Sequence, residues 1–375
     1  MTHREEIWNK AYKKIFELYG ETPDIRIVNR FLSEKRFLAD YGVAEYFDEL
    51  AGICKESLKK YNEKLIVKNT VSTCFTAYLL GASEINPLPM HYYCPNCKRV
   101  EWLGDLDNDK CLFDMRHTRT CECGAEMRID GYDIPWETYL PYAQRLKTKD
   151  PVPENYKDLF EALTKKHFQW SLPAQAVNLL GQATGISPDE IDLNDREVKC
   201  RLLGGDFSCM HPKLAEFLKQ AYAVAQPCSY AEVLKQVAFA HGTGTWKNNA
   251  EDLLTKCRLA DIPATRDEVF MQIRETMQER GVYDTGFAYD VAEKARKGYY
   301  AEHGMDGYTI STLKNLGFDD WFASYLLRTR YLSTRALSVL ELRYIILLSY
   351  FKTYYPEQYA EVIDENIWEG GENNG

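Results

Sequence analysis

Two cysteine pairs constrain this chain more than any other feature: Cys94-Pro95-Asn96-Cys97 and Cys121-Glu122-Cys123-Gly124. A two-residue spacer lets both sulfurs of the first pair point at one ion. The second pair has a one-residue spacer with a glycine behind it. Four thiolates about 2.3 Å from a tetrahedral ion form a closed structural zinc site with no position left for chemistry. Cys111 and His117 lie between the pairs and are substitutes if the shorter knuckle fails to reach. Residues 87–135 are rich in Pro, Gly, Cys and Asp and poor in apolar repeats. That is the pattern of a small domain whose folding energy comes from a metal.

Around this segment the chain reads as helical. Residues 4–20 and 26–64 are expected helices; Ile7, Ala11, Ile15 and Leu18 share one face of the first. Residues 65–80 are β-branched and aromatic, which suits a strand followed by a strand or short helix. The prolines of Thr148-Lys149-Asp150-Pro151-Val152-Pro153 mark a linker. Beyond it the pattern is helical, broken by a turn at Pro188–Asp195, by Gly204-Gly205 and by Pro227. The run Tyr344–Phe351 is too short to span a bilayer and reads as a buried helix, so no membrane is expected as a partner. The last residues carry acids without Lys or Arg and read as a disordered tail.

The N-terminus opens a charged amphipathic helix rather than a leader, so the eleven cysteines read as thiols or metal ligands and the chain as cytoplasmic. A net charge of -10 argues against unassisted coating of nucleic acid, because that affinity is mostly phosphate neutralisation.

Asn86-Pro87-Leu88-Pro89-Met90-His91-Tyr92 precedes the first cysteine pair, and Asp130-Gly131-Tyr132-Asp133-Ile134-Pro135-Trp136-Glu137-Thr138 follows the second. Further on stand Ala240–Glu251, with His241-Gly242-Thr243 and Trp246-Lys247-Asn248-Asn249, then Lys294–Gly298 and Ser349–Pro356. In this order the words resemble those of the PolC-type bacterial DNA polymerase III alpha chain. The resemblance implies an α+β fold, mainly α. Residues 1–86 would be a reduced palm remnant, 87–147 the zinc ribbon and 154–235 a helical connection. Residues 236–360 would be a fingers-like helical domain and 361–375 an acidic tail.

The departures from the family carry the functional expectation. Two-metal phosphoryl transfer needs carboxylates to hold the ions. The family takes two of them from an acidic strand shortly after the ribbon, where this chain runs into Pro153-Glu154-Asn155. The third falls on or near His167. The family's glycine-rich phosphate loop corresponds to Ile66–Thr73, which has no glycine. Asp192-Leu193-Asn194-Asp195 reads as a solvated turn and Asp105-Leu106-Asp107-Asn108-Asp109 as a polar loop. No catalytic residue is expected. The expectation is a truncated, degenerate, inactive relative that binds DNA or replication proteins. The alternatives are a protein-only decoy or regulator of the replication machinery, and a minimal active polymerase with relocated acids.

Candidate nucleic-acid contacts are Trp246, Lys247 and Asn249, the basic pair Arg296 and Lys297, and Arg328, Arg335 and Arg343. The last three are spaced by seven and eight, close to whole turns if one helix carries them. Tyr325, Tyr331, Tyr344 and Tyr350 interleave with them as stacking candidates. The plainer reading makes the aromatics core and the cations a solvated face.

Overall fold

A computed structural model describes residues 2–67, 70–103, 110–139 and 168–363. It is mainly helical with small antiparallel sheets, in two units. One comprises Met1–Asp105, Met115–Asp195 and Arg343–Gly375; the other comprises Leu106–Asp114 and Arg196–Leu342.

In the first unit, helix α1 (His3–Tyr19) starts at Thr2, whose hydroxyl accepts from the Glu5 amide while Glu5 reaches back to the Thr2 amide. Ile7, Ala11 and Ile15 are buried, as the spacing requires. The single helix expected over 26–64 is two: α2 (Ile25–Leu38) and α3 (Val43–Tyr61). A 3-10 turn and Gly42 at φ 67 separate them, a left-handed conformation that glycine adopts without strain. Trp8, Phe31, Phe47, Phe75 and Tyr139 centre the core. Strand β1 (Leu65–Val67) is buried and pairs antiparallel with β6 (Phe168–Trp170). Helix α4 (Phe75–Leu80) follows.

Helix α4 begins without a capping side chain of its own. Instead the fully buried Glu34 of α2 accepts hydrogen bonds from the Phe75 and Thr76 amides, both 2.8 Å, and from the Thr76 hydroxyl. Arg30 donates to Glu34 at 2.7 Å and to the Thr73 and Ile134 carbonyls at 2.9 Å. A carboxylate at a helix N-terminus satisfies amides that have no partner within the helix.

The ribbon is an antiparallel sheet of β2 (His91–Tyr93), β3 (Val100–Trp102), β4 (Thr118–Thr120) and β5 (Glu126–Asp130), in the order β3-β2-β5-β4.

The second unit is built of helices with side-chain caps at Ser229, Thr265 and Asp306. Phe239, Phe270, Ile273, Tyr300, Phe322 and Leu332 lie in its core. The helix Arg335–Tyr354 is divided between the units after Leu342. Among the described residues no helix is long and apolar enough to cross a membrane.

Candidate metal centre and expected nucleic-acid contacts

The two cysteine pairs meet at the end of the ribbon. Cys94 Sγ lies 3.6 Å from Cys123 Sγ and Cys97 Sγ 3.5 Å from Cys121 Sγ, and all four sulfurs lie within 4.8 Å of one another. A tetrahedron with bonds of about 2.3 Å has edges of about 3.8 Å, so the four can hold a metal ion such as zinc.

Local turns set this geometry. The Lys98 amide donates to the Cys94 carbonyl at 3.0 Å, and the Cys97 amide to Cys94 Sγ at 3.4 Å. In the tighter second knuckle Gly124 takes φ 83 and donates to the Cys121 carbonyl, while the Cys121 amide donates to Ala125. The left-handed glycine lets a one-residue spacer bring both sulfurs to the same side. The Ala125 amide is the largest influence on Cys123 and helps bring its thiol down to about 6. Burial pushes the Cys94 thiol up, but the Cys97 and Asn96 amides outweigh it and leave it below its ordinary value. Both effects favour the thiolates that a metal requires. At Cys121, by contrast, the backbone hydrogen bond from Cys123 pulls the thiol down, but burial and the neighbouring cysteines outweigh it and push the thiol up to about 12. Neither proposed substitute joins the group: Cys111 lies in the other unit with Sγ 3.5 Å from Asp114, and among the described residues the cluster holds the four cysteines alone.

The words flanking the cysteines form one clamp behind the ribbon. The amides of Tyr132, Asp133 and Ile134 donate to the carbonyls of Asn86, Leu88 and Pro87 at 3.0, 2.9 and 3.0 Å. Gly131 is required there, because a Cβ would stand 2.3 Å from the Pro89 carbonyl oxygen. Sequence reasoning missed the polar network inside. Asn86 donates to Asp130 at 2.7 Å and to the Tyr19 hydroxyl at 3.1 Å; Tyr78 donates to Asp130 at 3.0 Å. His91 Nε2 meets Tyr19 at 3.2 Å, and burial lowers the imidazole's pKa. The signal was present as Asn86, His91 and Asp130 within the two words.

The expected nucleic-acid residues are not brought together as a stripe. Arg328 ends the helix Asp320–Arg328, whereas Arg335 and Arg343 lie on the helix that begins at Arg335. The expected continuous helix is interrupted, so the spacing of seven and eight does not align the three. Arg335 donates to Glu268 at 3.1 Å, and its amide donates to Asp267. Arg343 donates to Asp189 at 2.8 Å and lies 3.8 Å from Glu84. Arg296 forks onto Glu293 at 2.8 and 2.9 Å; Lys297 reaches the same carboxylate at 3.2 Å. Trp246 is buried against Phe239 and Phe217. Asn249 donates to the Gly244 and Tyr325 carbonyls at 2.7 and 3.1 Å. Lys247, Lys297 and Arg328 are exposed. Among the interleaved tyrosines Tyr325 and Tyr344 are buried, and Tyr331 is exposed.

Asp192 accepts from the Asn194 amide at 2.8 Å, and Asp195 accepts from the Tyr354 hydroxyl at 3.1 Å. His167, the Asp105–Asp109 loop, the linker and the end of the acidic tail lie outside the described residues.

No family model matches the chain. Over 95% of its length it is similar to PolC-type DNA polymerase III. DNA polymerase III PolC-type from Thermotoga maritima is 22% identical over 480 aligned positions, which cover 34% of that protein. The same-named proteins of Streptococcus thermophilus and Staphylococcus aureus are 22% and 21% identical over 95% of the chain and 32% of their own length. The chain therefore spans about a third of the curated relatives it matches, and the similarity supports a relationship to PolC-type DNA polymerase III.

Proposed function

We propose that the chain is a polymerase-related binding protein that does not transfer nucleotides, with DNA or replication proteins as its partners and zinc as a structural ion. The observation that carries this reading lies just past Ile66–Thr73, the segment standing in place of the phosphate loop. The two amides that open α4 are occupied by Glu34, and Ser72 and Thr73 just before them are buried. An anion cradle needs free amides and close backbone approach; here the chain's own carboxylate fills that role. The aligned span of 480 positions also exceeds the 375 residues of this chain, which agrees with stretches of the relatives being absent from it. Four thiolates leave a tetrahedral zinc no open position, so the ion would hold the ribbon together.

Within this reading, the internal pairing of Arg296, Arg335 and Arg343 favours protein partners over phosphates. Primer extension with Mg²⁺ or Mn²⁺ at saturating nucleotide is the test, and no product is expected. Extension that survives stringent purification and disappears in the Asp192→Asn/Asp195→Asn variant would overturn the proposal. Binding to a DNA duplex at two salt concentrations separates the partners, because phosphate contact gives a negative salt slope.

A further inference from the structure

Among the described residues strand β4 is the outer strand on one side of the ribbon, paired with β5 alone. Thr118 stands opposite Arg128, Arg119 opposite Met127 and Thr120 opposite Glu126. The Cys121 amide donates to Ala125, and the Ile129 amide donates to His117. Bonded and non-bonded pairs alternate along an antiparallel ladder. His117, Arg119 and Cys121 therefore turn their main-chain groups toward β5, and Thr118 and Thr120 turn theirs outward. These outward groups are two residues apart, about 6.8 Å, the repeat of one further strand.

Along this edge lies a recess of about 490 Å³ whose lining includes Tyr92, Arg116, Arg119 and Glu126 beside the two threonines. Arg116 is exposed and has no ion-pair partner among the described residues. Arg119 lies 3.0 Å from Glu101, with its guanidinium 6.0 Å from the centre of the Tyr92 ring. Counting Glu101, two guanidiniums face two carboxylates, and among the described residues of the recess Arg116 is the one charge left to meet an anion.

We propose that the β4 edge docks an extended acidic segment of a protein partner, added as a fifth strand. The partner's main chain pairs with Thr118 and Thr120, and one of its carboxylates meets Arg116. Open edges are ready templates for such pairing, with side-chain contacts supplying selectivity. Nucleic acid fits this edge less well. Tyr92 is only 4% exposed and offers no ring for base stacking. The outward amides and carbonyls match a polypeptide. The proposal deepens the protein-binding reading above and rests on it.

The test uses the full, zinc-loaded chain and a fluorescein-labelled peptide of alternating Glu and Val, about ten residues long, a full strand's length. Saturable binding is expected, and the matching Lys/Val peptide should not bind. Arg116→Glu should weaken binding about tenfold or more, the scale of one charge-assisted pair. Thr120→Pro removes an outward amide while sparing the β5 ladder and should weaken binding similarly. Unchanged zinc content certifies that both variants keep the ribbon. No binding, equal binding by the variants, or equal binding of the Lys/Val peptide overturns the proposal. A thymidine oligonucleotide that binds instead, in an Arg116-dependent way, also overturns it. Purified replication proteins that still bind the Thr120→Pro variant at full strength remove the edge but leave the broader protein-binding reading standing.

Discussion

The ribbon and the helical unit use their reactive and charged groups in opposite ways. In the ribbon, local turns at Gly124 and at the Cys94–Lys98 loop each aim one cysteine pair, and the β2-β5-β4 ladder brings the two pairs to one point. In the helical unit, cations regular in sequence are pulled apart and neutralised. Lys235 and Arg335 lie 3.0 and 3.1 Å from opposite oxygens of the buried Glu268, and Arg296 is taken by Glu293. Short-range spacing survives folding because the intervening chain has little freedom. Long-range periodicity survives only if one helix continues, and here it stops at Arg328.

The largest effect should come from breaking the ribbon's convergence. Cys97→Ser, or chelation of the metal, should remove one zinc per chain and unfold residues 90–130 locally. Structural zinc contributes apparent free energies of about 10–16 kcal/mol in small domains. Metal analysis together with amide exchange in that segment checks this. Affinity should also weaken throughout as pH falls, because zinc binds only the thiolates, and more steeply below about 6, where Cys123 too gains its proton. Well under one zinc in the parent protein, or full exchange protection without metal, would break the comparison.

The next effect belongs to the helical unit. Glu268→Gln leaves Lys235 and Arg335 without their shared carboxylate and should cost about 3–5 kcal/mol, the scale of a broken buried pair. Burial pushes the Glu268 carboxyl up, but Lys235 and Arg335 outweigh it and hold it below its ordinary value. Its stabilisation is therefore present above the ordinary carboxylate range and lost as pH falls below it. Urea unfolding of the zinc-loaded parent and variant, at neutral and acid pH, should show a gap that narrows in acid. A gap that widened in acid would mean the carboxyl is held neutral.

The contrast also explains what was legible. The cysteine pairs and α1 follow from local spacing and caps, and they were readable, whereas the segment after β1 read equally as a strand or a short helix. The break between α2 and α3 rested on one glycine, Gly42, inside a pattern whose apolar period continues on both sides. Glu34 capping α4 and the network of Tyr19, Asn86, His91 and Asp130 join residues far apart in sequence, where no periodicity operates. Arg343 was read as a surface cation. Its carboxylate neighbours, Glu84 and Asp189, come from remote segments, and they make it a partly buried structural group.

The smallest effect separates the three arginines that share a sequence interval. Arg328 is exposed and donates to the Asn248 carbonyl at 3.0 Å; its nearest carboxylate, Asp252, lies at 4.0 Å on the surface. Exposed pairs of this kind contribute little, so Arg328→Ala should change stability by no more than about 0.5 kcal/mol. Arg335→Ala leaves part of the Glu268 charge uncompensated and should cost clearly more. DNA binding sharpens the contrast. If the chain binds DNA, Arg328 is the one member of the trio free to meet phosphate, and its removal should flatten the salt slope by about 0.7–0.9, a single contact. Adding Arg335→Ala and Arg343→Ala should then leave the slope where Arg328→Ala put it, provided each variant is folded at the assay temperature. A loss of two to three units would mean that the internal pairs open on DNA and the stripe assembles when bound. No binding at all would leave Arg328 as a solvated end of its helix and assign the chain's contacts to proteins.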